Sequence, residues 1–401
     1  MRTDPVVPRL VSTAVRYAIL FPGDLQPVHL AKEVGQLPLH LHREHRWACE
    51  IWAACPPSTD WLPERFPVPI LASGQGMEAV WNSAIRARRL DLLQTLHLTP
   101  LSLLAARAAK VANPRCVTWA KLDYNRRSLA RLKRRLTNPG WAALYREALR
   151  SLDVVSAETS AMTGEVCEAL GRLRTRRQPR IVTLPNGGMP PVVPRPMVRP
   201  ASALFVGRVG AYEKATDILL SGFAEVAVVA PEATLALAGP VEPGVFGRIE
   251  QWRRSVPLDV SKRLTLLDNV ADRGALSHLY AEADLFVMPS RWESSGIAMI
   301  EAACQGCYLI VSDVGAARDI LRETGFGVAL APGDRSALTK AWLDALRARR
   351  TVEQRARASS AAFRAFSWKA AADRIAAAVE EMRYDLAERR RGAAGQQTRG
   401  A

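Results

Sequence analysis

Leu285-Phe286-Val287-Met288-Pro289-Ser290-Arg291-Trp292-Glu293-Ser294-Ser295-Gly296-Ile297 decides the fold. Its first four residues are continuously apolar, as in a strand buried on both faces of a parallel sheet. Pro289 and Ser290 end the strand, and a helix is expected from Gly296 to Cys304. Strand, loop and helix in this order make half of a βαβ unit. The loop carries one carboxylate, Glu293, and the helix carries another eight residues on, Glu301. Between them lies a helix start, whose unpaired N–H groups and dipole favour a phosphate. That series matches the sugar hydroxyls, diphosphate and ribose of a nucleoside-diphosphate-sugar.

The same alternation extends in both directions. Towards the C-terminus, Tyr308–Ser312 reads as a strand, and the last helices run from about Ala337 to Glu388. Towards the N-terminus, strands are expected at 203–207, 234–239 and 264–267, with helices at 216–226 and 276–283. Before these, Gly187–Ala201 holds five prolines and reads as a stiff connector. A second alternating set precedes the connector, with strands at 17–23, 91–97, 115–120, 151–156 and 180–187. Helices are expected at 34–46 and 101–111. The pattern predicts an α/β protein with two doubly wound, Rossmann-like domains and a cleft between them. The expected division is 1–196, 197–366, a helix at 367–388 that crosses back to the first domain, and a disordered Arg/Gly/Gln-rich tail at 389–401.

The length of 401 residues agrees with two domains. No run approaches the ~18 apolar residues of a membrane span. Met1-Arg2-Thr3-Asp4-Pro5 lacks the apolar core of a signal peptide, so a cytoplasmic location is expected. Six irregularly spaced cysteines read as reduced thiols. The net charge is +16, and residues 1–190 supply +12 of it, with 27 Lys+Arg against 15 Asp+Glu. This excess reflects either an Arg-rich composition or attraction to an anionic partner.

Four features fall at the carboxyl ends of strands in the second half. They are Gly207-Arg208 with Lys214 six residues later, Gly239-Pro240, the Glu293–Glu301 segment, and Ser312-Asp313-Val314-Gly315. An Arg fork and a Lys point charge together can neutralise a diphosphate. Taken together, Phe205-Val206-Gly207-Arg208, Glu213-Lys214, Phe286–Ser290, Glu293–Glu301 and Val311–Gly315 resemble the retaining glycosyltransferases called glycosyl transferases group 1, of GT-B fold. Leu184-Pro185-Asn186-Gly187 resembles the family's Pro-Asn-Gly at the end of the first domain. Ser367-Trp368 resembles the opening of its last helix.

The resemblance implies sugar transfer from a nucleoside-diphosphate-sugar with retention of configuration. It gives Arg208 and Lys214 to the departing diphosphate, Glu293 to the donor sugar and Glu301 to the ribose hydroxyls. Gly207 and the backbone N–H groups of Ser295, Gly296 and Ile297 would complete the donor site. Lys32–Pro38 resembles the glycine-bearing loop facing the phosphates, which makes Gly35 a donor residue. No Asp-x-Asp occurs in the chain, so no metal and no further cofactor are expected. The acceptor would be a glycan or a lipid-linked group. A sugar-nucleotide epimerase and a catalytically silent binding module are the alternatives.

The chain departs from the family pattern at several places. Ser295 stands where an aromatic residue is usual, and Ala215 where a glycine is usual. The first domain lacks the family's His after strand Val117–Ala120, which leaves Lys121, Asp123 and His97 as candidates beside buried or surface roles. Cys304-Gln305-Gly306-Cys307 has no second ligand pair and reads as packing rather than a metal or redox site. Arg126, Arg127, Arg131, Lys133, Arg134 and Arg135 lie on one segment with Leu129, Leu132 and Leu136 at helical spacing. Such a helix could dock on an anionic membrane, giving peripheral attachment at its inner face, or it could be a solvated helix packed by its leucines. No nucleic-acid recognition module is present.

Overall fold

The computed structural model describes residues 14–55, 66–175, 177–193 and 198–397, with side chains described up to residue 384. The N-terminal pentapeptide, Pro194 and Pro196 of the connector, and the last four residues of the tail lie outside this set.

The first elements are β1 (Arg16–Phe21), α1 (Pro27–Leu30), α2 (Glu33–His45), β2 (Ala48–Ala53), β3 (Ile70–Ala72), α3 (Met77–Ala87), β4 (Leu92–Leu96), α4 (Pro100–Ala112), β5 (Val117–Leu122), α5 (Arg126–Thr137), α6 (Pro139–Leu149), β6 (Val154–Ala157), α7 (Ser160–Gly171) and β7 (Arg180–Thr183). They are followed by β8 (Arg199–Val206), a 3-10 turn (Tyr212–Lys214), α8 (Thr216–Val229), β9 (Thr234–Ala238), α9 (Val245–Ser255), α10 (Leu258–Lys262), β10 (Leu264–Leu267), α11 (Arg273–Glu282), β11 (Ala283–Met288), α12 (Ile297–Gln305), β12 (Tyr308–Ser312), α13 (Ala317–Thr324), β13 (Gly327–Leu330), α14 (Arg335–Arg347), α15 (Val352–Phe366) and α16 (Trp368–Gln397).

These strands form two sheets, in the orders β3-β2-β1-β4-β5-β6-β7 and β10-β9-β8-β11-β12-β13. Each order reverses once, between β1 and β4 in one sheet and between β8 and β11 in the other. Loops leaving the carboxyl ends of strands diverge at such a point and open a crevice. The second sheet is parallel throughout, with Phe205 opposite Leu237, Leu204 opposite Phe286, and Val287 opposite Ile310. Its two faces are covered by helices, so Phe205, Leu237, Phe286, Val287 and Ile310 are all fully buried. By packing, the chain divides into two compact units. One holds the described residues up to Ala120, Ser151–Asp153 and those from Ile375 on; the other holds Lys121–Arg150 and Val154–Arg374.

Three strands, β2, β3 and β13, escape the sequence pattern. β2 places the polar Glu50 beside Trp52, whose indole N–H donates to that carboxylate at 2.7 Å. β3 has only three residues, too few for a period to register. α16 runs to Gln397, into the stretch read as a disordered tail. Ala, Glu, Arg and Gln are good helix formers, and only Gly392 and Gly395 oppose the helix there.

Several contacts tie the second unit together across long separations. Asp319 accepts from the backbone N–H of Ser160 at 2.8 Å and from its hydroxyl, placing a carboxylate at the start of α7. Gln305 of α12 clasps the connector, accepting from Val192 N–H at 3.0 Å and donating to the Pro190 carbonyl at 2.8 Å. Two chain segments cross where Gly188 N–H donates to the Phe366 carbonyl at 2.7 Å. A Cβ on Gly187 would run into the backbone of Trp368. Gly187→Ala must therefore push one segment off the other, a rigid overpacking that costs about 3 kcal/mol. Denaturant unfolding of the variant checks this; an unchanged midpoint would show that the crossing is not close-packed.

Candidate active site

The site grows from the β8–β11 reversal. After β8 the chain passes Gly207-Arg208 and enters the 3-10 turn that ends in Lys214. After β11 it enters the loop that carries Glu293. Because β8 and β11 are neighbours, the two loops meet. Lys214 Nζ donates to Glu293 Oε1 at 2.7 Å, and the side chains are only 16% and 10% exposed. The lysine stem lies over Gly207, where a Cβ would sit 3.3 Å from Lys214 Cε. A Cβ on Gly239, after β9, would collide with the Gly207 carbonyl. Both glycines thus allow the strand ends to come together.

The Glu293 loop is held from beneath. Gly315 has a left-handed φ of 57°, and a Cβ there would lie 2.6 Å from the Ser295 carbonyl and 3.0 Å from Glu293 Cβ. Ala316 N–H donates to that Ser295 carbonyl at 2.9 Å. Gly296, at φ 75°, turns the chain into α12, leaving no room for a Cβ beside Met299. The hydroxyls of Ser290 and Ser295 are buried with no hydrogen-bond partner among the described residues.

Glu301, on the first turns of α12, is buried and has both oxygens engaged. Arg273 donates to Oε1, and the Tyr280 hydroxyl donates to Oε2 at 3.1 Å. Burial, followed by the charge of Glu301, pushes the Tyr280 phenol well above its ordinary value, so it stays protonated as a donor. Arg208 is 58% exposed and held by Glu213 and, at 3.3 Å, by Glu242. Such exposed pairs contribute roughly 1 kcal/mol or less each, so an anionic ligand can exchange for them. Among the described residues no group of three or more His, Cys, Asp or Glu side chains could hold a metal ion.

The remaining sequence candidates are carried by elements of the first sheet and its helices. Lys121 is buried at the end of β5, donating to Glu158 at 2.8 Å and to Asn186 at 3.0 Å. Asn186 in turn donates to the same Glu158 oxygen at 2.7 Å. Asp123 is exposed two residues further on. His97 follows β4 with a left-handed φ of 60°, at the reversal of the first sheet. Gly35 is buried inside α2 rather than on a loop, because a Cβ there would strike the backbone of Leu30 at the end of α1. Sequence reasoning missed Arg273, Tyr280, Tyr212, Arg291 and Trp292. Of these only Arg273 left a local signal, since Asp272 before it caps α11 by accepting from Gly274 N–H at 2.7 Å.

Residues 200–348 match the family model described as Glycosyl transferases group 1. This part of the chain is similar to that family. It is 29% identical over 170 residues to a glycogen synthase of Mycobacterium tuberculosis, covering 41% of this chain and 38% of the relative. It is 33% identical over 184 residues to a D-inositol 3-phosphate glycosyltransferase of Rhodococcus jostii, covering 42% and 38%. The matches thus span well under half the length of these curated relatives. Solved structures match over nearly the whole chain. A glycosyltransferase from Rickettsia africae superposes with a TM-score of 0.71 at 13% identity, covering 92% of this chain and 99% of that one. Anabaena HepE in complex with UDP gives 0.68 at 15%, covering 92% and 100%. The fold is GT-B.

In the matched segment the Cys304-x-x-Cys307 pair is packed into the core. Burial pushes the Cys307 thiol up to about 12 and that of Cys304 higher still. Cys307 Sγ points at the Tyr280 carbonyl, 3.0 Å away. A thiol with a raised pKa carries almost no thiolate at neutral pH, and Cys55 and Cys167 are the exposed cysteines. At pH 7.5 a maleimide is expected to modify Cys55 and Cys167 in the folded protein, and all six cysteines only after denaturation. Mass spectrometry reads the count, and native labelling of Cys304 or Cys307 would contradict the packing role.

Proposed function

We propose that the chain is a retaining glycosyltransferase that moves a sugar from a nucleoside-diphosphate-sugar to a glycan or lipid-linked acceptor without a metal ion. The observation that carries this reading is the Lys214–Glu293 pair at the β8–β11 reversal, beside the start of α12. Lys214 has three N–H donors and gives one to Glu293. The others oppose the charge that grows on the leaving diphosphate, assisted by Arg208 released from Glu213 and Glu242. The N–H groups of Ser295, Gly296 and Ile297 take the distal phosphate. Glu293 orients Lys214 and accepts from sugar hydroxyls. Glu301 accepts from the ribose with the lone pairs that Arg273 and Tyr280 leave.

In the reaction the anomeric C–O bond to the phosphate breaks and a C–O bond to the acceptor forms on the same face. The acceptor hydroxyl gives its proton to the departing phosphate oxygen. The protein's part is electrostatic stabilisation of the leaving group. Glycosyltransferase relatives and a UDP complex among the structural neighbours support this reading and put UDP-sugars first in a donor panel. A thermal-shift series identifies the donor. With it, Lys214→Ala and Glu301→Ala should each lower kcat/KM by about 10²-fold, on the order of 3 kcal/mol. EDTA should leave the rate unchanged. Unimpaired transfer by both variants would remove the reading, and activity lost to EDTA but restored by Mg²⁺ would remove metal independence.

The acceptor side of the proposal rests on α5. Its Leu129 and Leu132 are buried, while Arg126, Arg131 and Arg134 are exposed. Lys133 pairs with Glu165 at 2.9 Å, and Arg135 lies 5.2 Å from the Trp141 ring. Trp141 and Leu144 of the adjoining α6 are themselves partly exposed. A cationic face beside exposed apolar side chains fits an anionic bilayer, at about 1 kcal/mol per cation. Co-sedimentation with phosphatidylglycerol vesicles is expected at low salt and should fade as salt rises. No binding at low salt would exclude the membrane partner.

A further inference from the structure

We propose that Trp292 is a positioning residue for the Lys214–Glu293 pair and that Arg127 of α5 sets its position. The inference rests on the glycosyltransferase reading for its catalytic consequence, but its geometry stands apart from it.

Trp292 directly precedes Glu293. One flank of its ring is covered by Arg127, whose Cζ lies 4.0 Å from the ring centroid. Another meets Tyr212, with centroids 5.5 Å apart and planes at 51°. Tyr212 belongs to the short turn that ends in Lys214. Its ring lies 4.3 Å from the Arg291 guanidinium. Arg291 makes four further hydrogen bonds, two to that turn and two to Asp217 at the start of α8. Its side chain donates to the Tyr212 carbonyl at 2.6 Å and to both oxygens of Asp217, at 3.1 and 2.7 Å. Its backbone N–H donates to the Glu213 carbonyl at 2.7 Å. The result is one row, Arg127–Trp292–Tyr212–Arg291–Asp217, in which two rings in contact lie between two cations and the second cation closes on a carboxylate.

This row joins the two loops whose ends form the ion pair. It also holds a turn with little tolerance of its own. Ala215 follows Lys214 at φ 52°, a conformation an L-residue resists, and is fully buried. Such a residue keeps its place only when its surroundings over-determine it, and Arg291 supplies that restraint. Arg127 extends the row to α5, the helix whose exposed cations are the membrane candidates. A shift of α5 is therefore transmitted through Trp292 to Glu293.

Two measurements separate this proposal from the reading beneath it. The first is hydrogen exchange, which needs no substrate. Arg127→Ala should raise exchange in the peptide covering 211–216 by at least ~5-fold, although position 127 is remote in sequence. The second is steady-state transfer with the donor found in the panel. Trp292→Ala should lower kcat about 10-fold and Arg127→Ala about 5-fold, with the donor KM within about twofold, because a misplaced ion pair is felt chiefly in the transition state. Trp292→Phe and Arg127→Lys should restore most of the loss. The double variant should be no worse than Trp292→Ala alone. Arg172→Ala, an exposed pair with Glu168 on α7, is the control that should change nothing. Unaltered exchange over 211–216, additive losses, or failure of Phe to rescue would each overturn the proposal. If the wild-type chain transfers no sugar from any donor, the enzyme reading fails while the exchange result still decides the coupling.

Discussion

The ion pair between Lys214 and Glu293 is the constraint on which the second unit is arranged. Each group is largely buried, and either one alone would be a charge held out of water with no counter-charge. The pair exists only because β8 and β11 are neighbours that lead their chains away in opposite directions. The glycines at 207, 239, 296 and 315 follow from the same demand. At Gly239 and Gly315 a Cβ would strike the backbone of a neighbouring loop, at Gly207 it would press on the Lys214 stem, and at Gly296 on the Met299 side chain.

Every charge at the site has a counter-charge, with four carboxylates against three cations. Arg208 is satisfied by Glu213 and Glu242, Glu301 by Arg273 and Tyr280, and Lys214 by Glu293. An anionic ligand therefore enters by exchange rather than by filling a bare cationic hole. The exposed Arg208 pairs exchange easily, whereas the buried Glu301 contacts stay and present the remaining lone pairs in a fixed direction. Exchangeable cations and a rigid acceptor suit the proposed role, in which a charged leaving group is bound and a sugar nucleoside is held still.

The alternation of strands and helices was legible because parallel strands buried on both faces leave unbroken apolar runs, as in Leu285–Met288. The opposition of Lys214 and Glu293 was legible as charge type at strand ends. What stayed hidden was the partner of each charge. Lys121 looked like a site residue by position, and only the fold shows Glu158 and Asn186 closing around it. Gly35 reads as a loop glycine in the sequence, and the structure places it in α2, where a Cβ would strike the backbone at the end of α1. Arg127 and Trp292 are 165 residues apart in sequence, and no periodicity records a contact of that span. Local propensity writes elements into a sequence; the pairing of side chains is written only by topology.

The two halves of the ion pair are separated by 79 positions along the chain. During synthesis Lys214 emerges long before its counter-charge, and β11 must dock beside β8 before the two can meet. The left-handed Ala215 turn has no support from Arg291 until then. The nascent second unit is thus a sheet edge with an unsatisfied lysine, exposed at the place where β11 must still dock. Capture of that strand and neutralisation of that charge are one event, so the pair forms only once β11 has docked, with β12 and β13 still to join the sheet.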